Sequence, residues 1–254
     1  MKISIITAVF NGEHTIGSTL ASIAEQDHPD IEHIVVDGAS SDATLSQIRA
    51  RDRRGARVVS EPDDGAYDAF NKGLRLATGE VIGFLNCGDS YTSPATVSRI
   101  AAGFAGSDAQ AVFGDVLIVD ERTPGRVVRR YRSHRFTART MSYGLMPAHP
   151  TLFMRREVYR AVGEYNPSFR IAGDFELCVR VFACRHTPYR YLPEALVRMP
   201  TGGLSNRGWR SKWEITREMM RACRSNGVST SWLKLCLRFP LKVAELSWFD
   251  GATP

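Results

Sequence analysis

SEPDDGAYDAFNKGLRLATGEVIGFLNCGD, residues Ser60–Asp89, is the stretch whose reading decides the fold. A turn-rich acidic loop, Glu61-Pro62-Asp63-Asp64-Gly65, leads into a helical run from about Ala66 to Ala77. Thr78-Gly79 stops that helix, and a short apolar strand, Val81–Leu85, follows and ends in Asn86-Cys87-Gly88-Asp89. A buried strand that delivers polar, metal-competent side chains from its carboxyl end is the ligand-site arrangement of open α/β sheets.

The flanking segments repeat that grammar. Ile3–Phe10 is an apolar strand punctuated by Asn11-Gly12, and Thr15 or Ser18 can cap a helix running to about Glu25. Ile31–Asp37 is a second strand whose last residue is an aspartate. Gly38–Asp42 is a turn, Ala43–Arg53 a helix with Asp42 as its cap, and Ala56–Ser60 a third strand. Strands and helices in alternation predict a parallel sheet with right-handed crossovers. No GxGxxG follows the first strand, which counts against a dinucleotide-binding dehydrogenase.

Further on, Pro94–Phe104 reads as a helix and Ala111–Val119 as a strand carrying Asp115 in its middle. Glu121–Tyr131 reads as a hairpin or loop, and Phe136–Met146 has no clear period. His149–Met154 is expected to be a strand, Arg156–Val162 a helix, and Gly163–Ile171 a loop. Asp174 opens a helix through Arg185, and Tyr189–Leu196 is the last strand. The final segment is charged. Arg210–Cys223 reads as a helix, and Trp232–Phe249 as a basic amphipathic one with Lys234, Arg238 and Lys242 opposite a leucine-rich face. Such a helix with flanking tryptophans can lie in a membrane interface or pack on the domain, and Pro240 would kink it in either case.

Composition narrows the class. The 254 residues suffice for one α/β domain with a substantial core, and 43% hydrophobic with 24% charged residues is ordinary for a globular chain. The net charge of +6 conceals a split. Residues 1–120 carry 9 Lys and Arg against 17 Asp and Glu, whereas residues 121–254 carry 24 against 10. A second half this basic suggests an anionic partner, such as a membrane surface or a phosphate-bearing ligand. Five scattered cysteines without a CxxC pair fit a reduced, cytoplasmic setting. The apolar run after Lys2 is too short for a signal peptide, and no stretch of about twenty uncharged residues predicts a membrane span.

Taken with Ser60–Asp89, the segments Ser4–Asn11 (SIITAVFN), Val35–Ser41 (VVDGASS) and Ala172–Arg180 (AGDFELCVR) resemble the family 2 inverting glycosyltransferases of the GT-A fold. The resemblance spans residues 1–205, an expected GT-A domain, and leaves 206–254 as a basic helical C-terminal segment. It implies a mostly parallel α/β sheet flanked by helices, and transfer of one sugar from a nucleotide-sugar donor to a glycan or lipid-linked acceptor with inversion. Cell-surface polysaccharide or glycolipid synthesis is the expected setting, with the protein cytoplasmic or peripheral on the membrane. Nucleic acid is not an expected partner.

The same resemblance assigns roles. Thr7, Ala8, Asn11 and Asp37 are expected at the nucleotide, joined by Asp68, Asn71 and Lys72 from one helix and by Asn86. Asp89 is the expected ligand of Mn²⁺ or Mg²⁺ on the diphosphate, at the last position of an acidic motif in which Asn86 replaces an earlier carboxylate. Asp174 is the expected general base, although Gly173 stands where an acidic neighbour is common. At a helix N-terminus the dipole favours its ionised form. His149, Glu176 and Arg180 are expected near the acceptor or diphosphate. Two other classes compete. A sugar-nucleotidyltransferase would show a Gly-rich basic loop where Asn11-Gly12-Glu13-His14 stands, and a non-catalytic scaffold draws support from Asn86 alone.

Overall fold

The computed structural model describes residues 1–123, 125–201 and 208–238. Its first half is the predicted alternation: β1 (Ile3–Val9), α1 (Ile16–Ala24), β2 (Ile31–Asp37), α2 (Thr44–Arg51), β3 (Arg57–Ser60), α3 (Ala66–Leu76) and β4 (Val81–Phe84). These strands pair in parallel in the order β3-β2-β1-β4. β1 is buried almost throughout because helices cover both of its faces. Val9, Ile16, Leu20, Val35 and Ile48 close the side of α1 and α2, while Ile6, Ile34, Val36 and Phe70 close the side of α3. Gly73 lets α3 approach closely, since a Cβ there would lie 2.4 Å from the Ile6 side chain.

The chain winds outward from β1 to β3 and returns on the other side of β1 as β4. That reversal opens a crevice beyond the carboxyl ends of β1 and β4, where open α/β sheets take their ligands.

The second half departs from the parallel expectation. Its elements are β5 (Ser90–Tyr91), α4 (Thr96–Phe104), β6 (Ala111–Val119), β7 (Val127–Tyr131), β8 (Phe153–Arg155), α5 (Arg156–Val162), α6 (Gly173–Cys178) and β9 (Tyr189–Pro200). β8 is antiparallel to both β4 and β6, β9 runs parallel to β6, and β5 and β7 add antiparallel partners, so the nine described strands form a mixed sheet. Asp115, 1% exposed, ties this half together. It takes the Arg130 guanidinium at 2.8 Å, the Tyr191 hydroxyl at 2.9 Å and the Ser133 N–H at 2.9 Å.

Several local expectations need correction. His149–Thr151 is a 3₁₀ turn and not the start of a strand, because Pro150 has no N–H for a ladder; the strand begins at Phe153. Ala138–Tyr143 is also 3₁₀, closed by a reciprocal Thr137–Thr140 capping box. The run from Asp174 changes to a π-helical turn at Val179–Cys184. β9 continues past Leu196 to Pro200, because Val197–Pro200 keep pairing with β6.

Two helices follow, α7 (Gly208–Ser225) and α8 (Trp232–Cys236). Met219, Met220, Ala222, Cys223 and Leu235 join the same core as Phe113, Phe175 and Phe182. Arg238, expected on a solvated face, is 2% exposed and donates to the Thr216 hydroxyl at 2.7 Å, whereas Leu233 and Leu237 are exposed. The remainder of the expected Trp232–Phe249 helix, from residue 239, lies outside the described residues. Among the described residues no helix is long and apolar enough to cross a membrane.

Candidate active site

The crevice is framed by the loops after β1, β2 and β4. Asn11 sits at φ 49°, a left-handed conformation that asparagine tolerates, and its Oδ1 accepts the Ser41 N–H at 2.9 Å. Its own N–H donates to the Ser40 hydroxyl at 2.8 Å, so the loops after β1 and β2 lock together. Asp37 is fully buried and accepts from the Ser40 N–H at 3.1 Å, from the Ser40 hydroxyl, and from the Ser60 hydroxyl at 2.6 Å. Ala8 is half-buried against the core under α3. Thr7 faces the other way. Its hydroxyl is buried against His33 at 3.0 Å, and burial lowers that imidazole to a pKa of about 4, so the side chain expected at the nucleotide belongs to the core.

The turn after β4 is built around Thr19 of α1. Its hydroxyl donates to the Asp89 carbonyl at 2.9 Å and accepts the Gly88 N–H at 3.0 Å, and Gly88 takes a φ of 95° that favours glycine. Two side-chain oxygens of this turn are under-used. Asn86 Oδ1 is buried with no protein partner, and the Asp89 carboxyl, 4% exposed, is pushed by burial up to a pKa of about 7, opposed by one backbone hydrogen bond at Asn86. A bare amide oxygen and a dehydrated carboxylate three residues apart are the hard-oxygen donors that Mg²⁺ or Mn²⁺ takes from protein when phosphates supply the rest. No cluster of three or more His, Cys, Asp or Glu suited to a metal occurs among the described residues. The pair therefore fits a cation shared with a diphosphate and does not fit a closed protein cage.

Asp174 stands in the first turn of α6, on the wall of a cleft of about 250 Å³ that His149 also lines. Its Oδ1 accepts the Phe175 N–H at 2.7 Å and approaches the Tyr67 hydroxyl at 3.5 Å. Burial raises its pKa above the ordinary carboxylate value, against the lowering effects of His149 and of these hydrogen bonds. Desolvation thus outweighs the helix dipole on which the expectation of easy ionisation rested. His149 is 9% exposed and shares a 2.8 Å hydrogen bond with the Tyr165 hydroxyl, and burial holds its pKa below the usual imidazole value.

Gly173, the departure from the family pattern, has a physical reason. The Tyr67 ring lies where its side chain would be, 2.7–2.9 Å from a Cβ, and the Tyr67 hydroxyl donates to the Ile171 carbonyl at 2.5 Å. An acidic residue at 173 would displace the tyrosine that holds the loop before Asp174.

Other expected residues serve the scaffold. Asn71 is 4% exposed and clasps the Tyr165 backbone through both ends of its amide, at 2.8 and 2.9 Å. It is not on the face shared by Asp68 and Lys72. That face is ion-paired at 3.3 Å, and Lys72 also reaches Glu61 at 3.1 Å and the Pro62 carbonyl at 2.6 Å, fastening the acidic loop to α3. Glu176 and Arg180 form an i, i+4 pair at 2.8 Å. Arg180 donates onward to the carbonyls of Val162 and Glu164, and Glu176 accepts from Asn226 at 3.2 Å, so the pair joins α5, α6 and the end of α7.

The sequence profile of Glycosyl transferase family 2 matches residues 4–163. The chain belongs to that family. This family 2 glycosyltransferase is 31% identical over 209 residues to a PGL/p-HBAD biosynthesis glycosyltransferase of Mycobacterium bovis, covering 80% of this chain and 78% of the relative. An uncharacterised glycosyltransferase of Mycobacterium tuberculosis is 31% identical over 185 residues, 70% of this chain and 68% of that one. Among solved structures, Staphylococcus aureus TarS 1-349 in complex with UDP-GlcNAc superposes with a TM-score of 0.68 at 20% identity, over 90% of this chain and 68% of TarS 1-349. The mannosyltransferase PcManGT from Pyrobaculum calidifontis, in complex with GDP-Man and Mn²⁺, gives 0.65 at 18% identity, over 100% and 76%. These likenesses establish the GT-A fold. The protein is thus a nucleotide-sugar glycosyltransferase, and the nucleotidyltransferase and scaffold classes are set aside.

In this glycosyltransferase, Asp174 lies beyond the matched residues, and so do Phe175 and Glu218, whereas Tyr67 lies within them. One of these was not legible in the sequence. Glu218 of α7 accepts the N–H groups of Arg170, Ile171 and Ala172 at 2.8, 2.9 and 2.7 Å, which fixes the loop entering α6. Nothing in the charged pattern of Arg210–Cys223 separates Glu218 from Glu214.

Proposed function

We propose that the enzyme transfers a single sugar from a nucleotide-sugar to a hydroxyl of a lipid-linked glycan by one in-line displacement, with inversion, and that Asp174 is the base. The supporting observation is the cleft wall on which a carboxyl held by Phe175, Tyr67 and the Glu218-fixed loop meets open space beside His149. A carboxyl of raised pKa is a better proton acceptor once ionised, and it takes the acceptor proton as the new glycosidic bond forms. Asn11, Asp37 and the loops they lock would border the nucleoside. Asn86 and Asp89 would hold a divalent cation, which as a Lewis acid offsets charge on the leaving diphosphate. Inversion needs no second carboxylate as nucleophile.

The test of the donor site is a thermal-shift panel of UDP-, GDP- and dTDP-sugars with and without Mn²⁺. A ligand at a hundred times its Kd stabilises by about 2.7 kcal/mol. One nucleotide class is expected to give a Mn²⁺-dependent shift that Asp89→Ala abolishes. A folded sample that responds to no nucleotide would refute the donor site.

The C-terminal region supports peripheral membrane contact. Trp213 and Trp232 stack at 4.6 Å and are 60% and 37% exposed, beside Leu233 at 74% and Leu237 at 44%. Lys234 lies over the exposed Tyr143 ring, and Lys212, Arg217 and Arg221 are exposed along α7. Aromatic and leucine side chains among lysines and arginines suit an anionic interface. The expected result is co-flotation with phosphatidylglycerol vesicles, little with phosphatidylcholine alone, and at least a fivefold loss in Trp213→Ala/Trp232→Ala. Equal recovery of the double variant would remove the surface from consideration.

A further inference from the structure

The segment Ser168–Ala172, which leads into α6, is held from outside. Ala172 stands at the N-cap of α6 with no side-chain cap, and Phe169 and Ala172 are 4% and 2% exposed. N–H groups buried there need acceptors from elsewhere in the chain. Glu218 supplies them, its Oε1 to the Arg170 N–H at 2.8 Å and its Oε2 to those of Ile171 and Ala172 at 2.9 and 2.7 Å. One turn further along α7, Arg221 donates to the Ser168 carbonyl at 2.9 Å and lies over the Phe169 ring at 3.8 Å. From α3, the Tyr67 hydroxyl donates to the Ile171 carbonyl. Ile171 and Ala172 share the cleft wall with Asp174.

We propose that Glu218 is a positioning residue for the transfer step: by binding three successive N–H groups ahead of α6, it sets where the Asp174 carboxyl points. The proposal rests on Asp174 being the base. Asp174 is two residues beyond the last of these N–H groups. Its own contacts are to the Phe175 N–H in the same turn and to Tyr67, so the carboxyl moves with that turn. Hydrogen bonds to a carboxylate are about twice as strong as neutral ones, and three on one carboxylate fix the turn in both place and rotation. A misplacement of about 1 Å at a reacting group costs about 10²-fold in rate. Glu218 therefore has catalytic weight although it acts only through Asp174. The same helix also supplies Ile215 and Met219 to the cleft wall. On this reading α7 belongs to the catalytic unit, and the boundary expected at residue 205 cuts through that unit instead of setting off an appendage.

The experiment uses the full chain and the sugar nucleotide that the donor panel selects. Turnover is read as nucleoside diphosphate released with water as the acceptor. The water oxygen bonds to the anomeric carbon as the bond to the diphosphate breaks, and Asp174 takes the water proton. Glu218→Ala is expected to lower this rate by about 10²-fold. Glu218→Gln, whose amide oxygen can still accept two of the three N–H groups, is expected to lose only three- to tenfold. Donor affinity stays within twofold in both. In an Asp174→Asn background the loss from Glu218→Ala is expected to shrink below threefold, since residues that act through one another are not additive. Amide exchange at residues 170–172 is expected to rise at least tenfold in Glu218→Ala. A Glu218→Ala rate within threefold of wild type overturns the proposal, as does unchanged amide exchange. So does a loss of equal size in both backgrounds, the mark of a general structural role. If Glu218→Ala does not fold, Glu218→Gln carries the same cycle, and its loss must likewise vanish beside Asp174→Asn. If Asp174→Asn alone retains the wild-type rate, the base reading falls and takes this one with it.

Discussion

Asp174→Asn is expected to lower kcat by about 10²- to 10⁴-fold, the usual contribution of a positioned general base. The amide keeps the shape of the carboxyl and can still accept the Phe175 N–H, but it cannot take a proton from the acceptor. Nucleotide affinity should stay within about twofold, because Asp174 lies in the α6 cleft and not in the loops after β1, β2 and β4. The wild-type profile should also show the base. With the pKa raised by burial, Asp174 remains protonated to a higher pH than an ordinary carboxylate, so log kcat/KM falls as pH drops through a value above the normal range. The variant loses that limb. Its thermal stability at neutral pH should equal or exceed the wild type's, because it removes a charge that the native environment disfavours. A variant that folds, binds nucleotide and retains kcat within threefold would exclude Asp174 as the base.

Legibility of the site followed a simple physical division. The strand ends were readable because apolar runs that stop at Asn11, Asp37 and Asn86–Asp89 announce buried strands and the loops beyond them. Position along the chain therefore carried over well. Side-chain direction did not. Asn71 follows Asp68 by three residues and precedes Lys72 by one, yet the Tyr165 backbone, 94 residues away, draws its amide inward. Thr7 turns to His33 on the neighbouring strand, and Arg180 turns to carbonyls at the end of α5. In each case a distant buried polar group needing a partner decides the rotamer, and local spacing holds no record of it. The same holds for the mixed half of the sheet. β8 is three residues long and antiparallel, and it is set by pairing with β4 and β6 rather than by its own pattern. Gly173 shows the reverse case. It looked like a weakness in the motif, and the Tyr67 ring packed against it makes it a requirement of this chain.

Asp89→Asn is expected to stabilise the metal-free protein at alkaline pH, although the same change should abolish Mn²⁺-dependent nucleotide binding. Asp89 is 4% exposed, and burial raises its carboxyl from 3.8 to about 7. The sign follows from proton uptake. Between those two values the unfolded chain has released the proton while the native protein keeps it, so stability falls as pH rises across that window. Above about pH 7 the native carboxylate is ionised and the whole penalty is present, on the order of 4 kcal/mol at 1.36 kcal/mol per pK unit. Asparagine has no proton to lose and escapes it. Denaturation in EDTA should therefore show the variant more stable at pH 8 by that amount, about 5 to 15 °C in Tm for a chain of this size, with the two proteins converging near pH 4. Adding Mn²⁺ and nucleotide should reverse the order, since the wild type alone gains a cation that offsets the buried charge. Equal stabilities from pH 4 to pH 8 would show that Asp89 is not a dehydrated carboxylate. A metal response that persists in the variant would move the cation to other oxygens. The expected reversal would mean that a charge this fold holds at a loss is kept for the ligand that neutralises it.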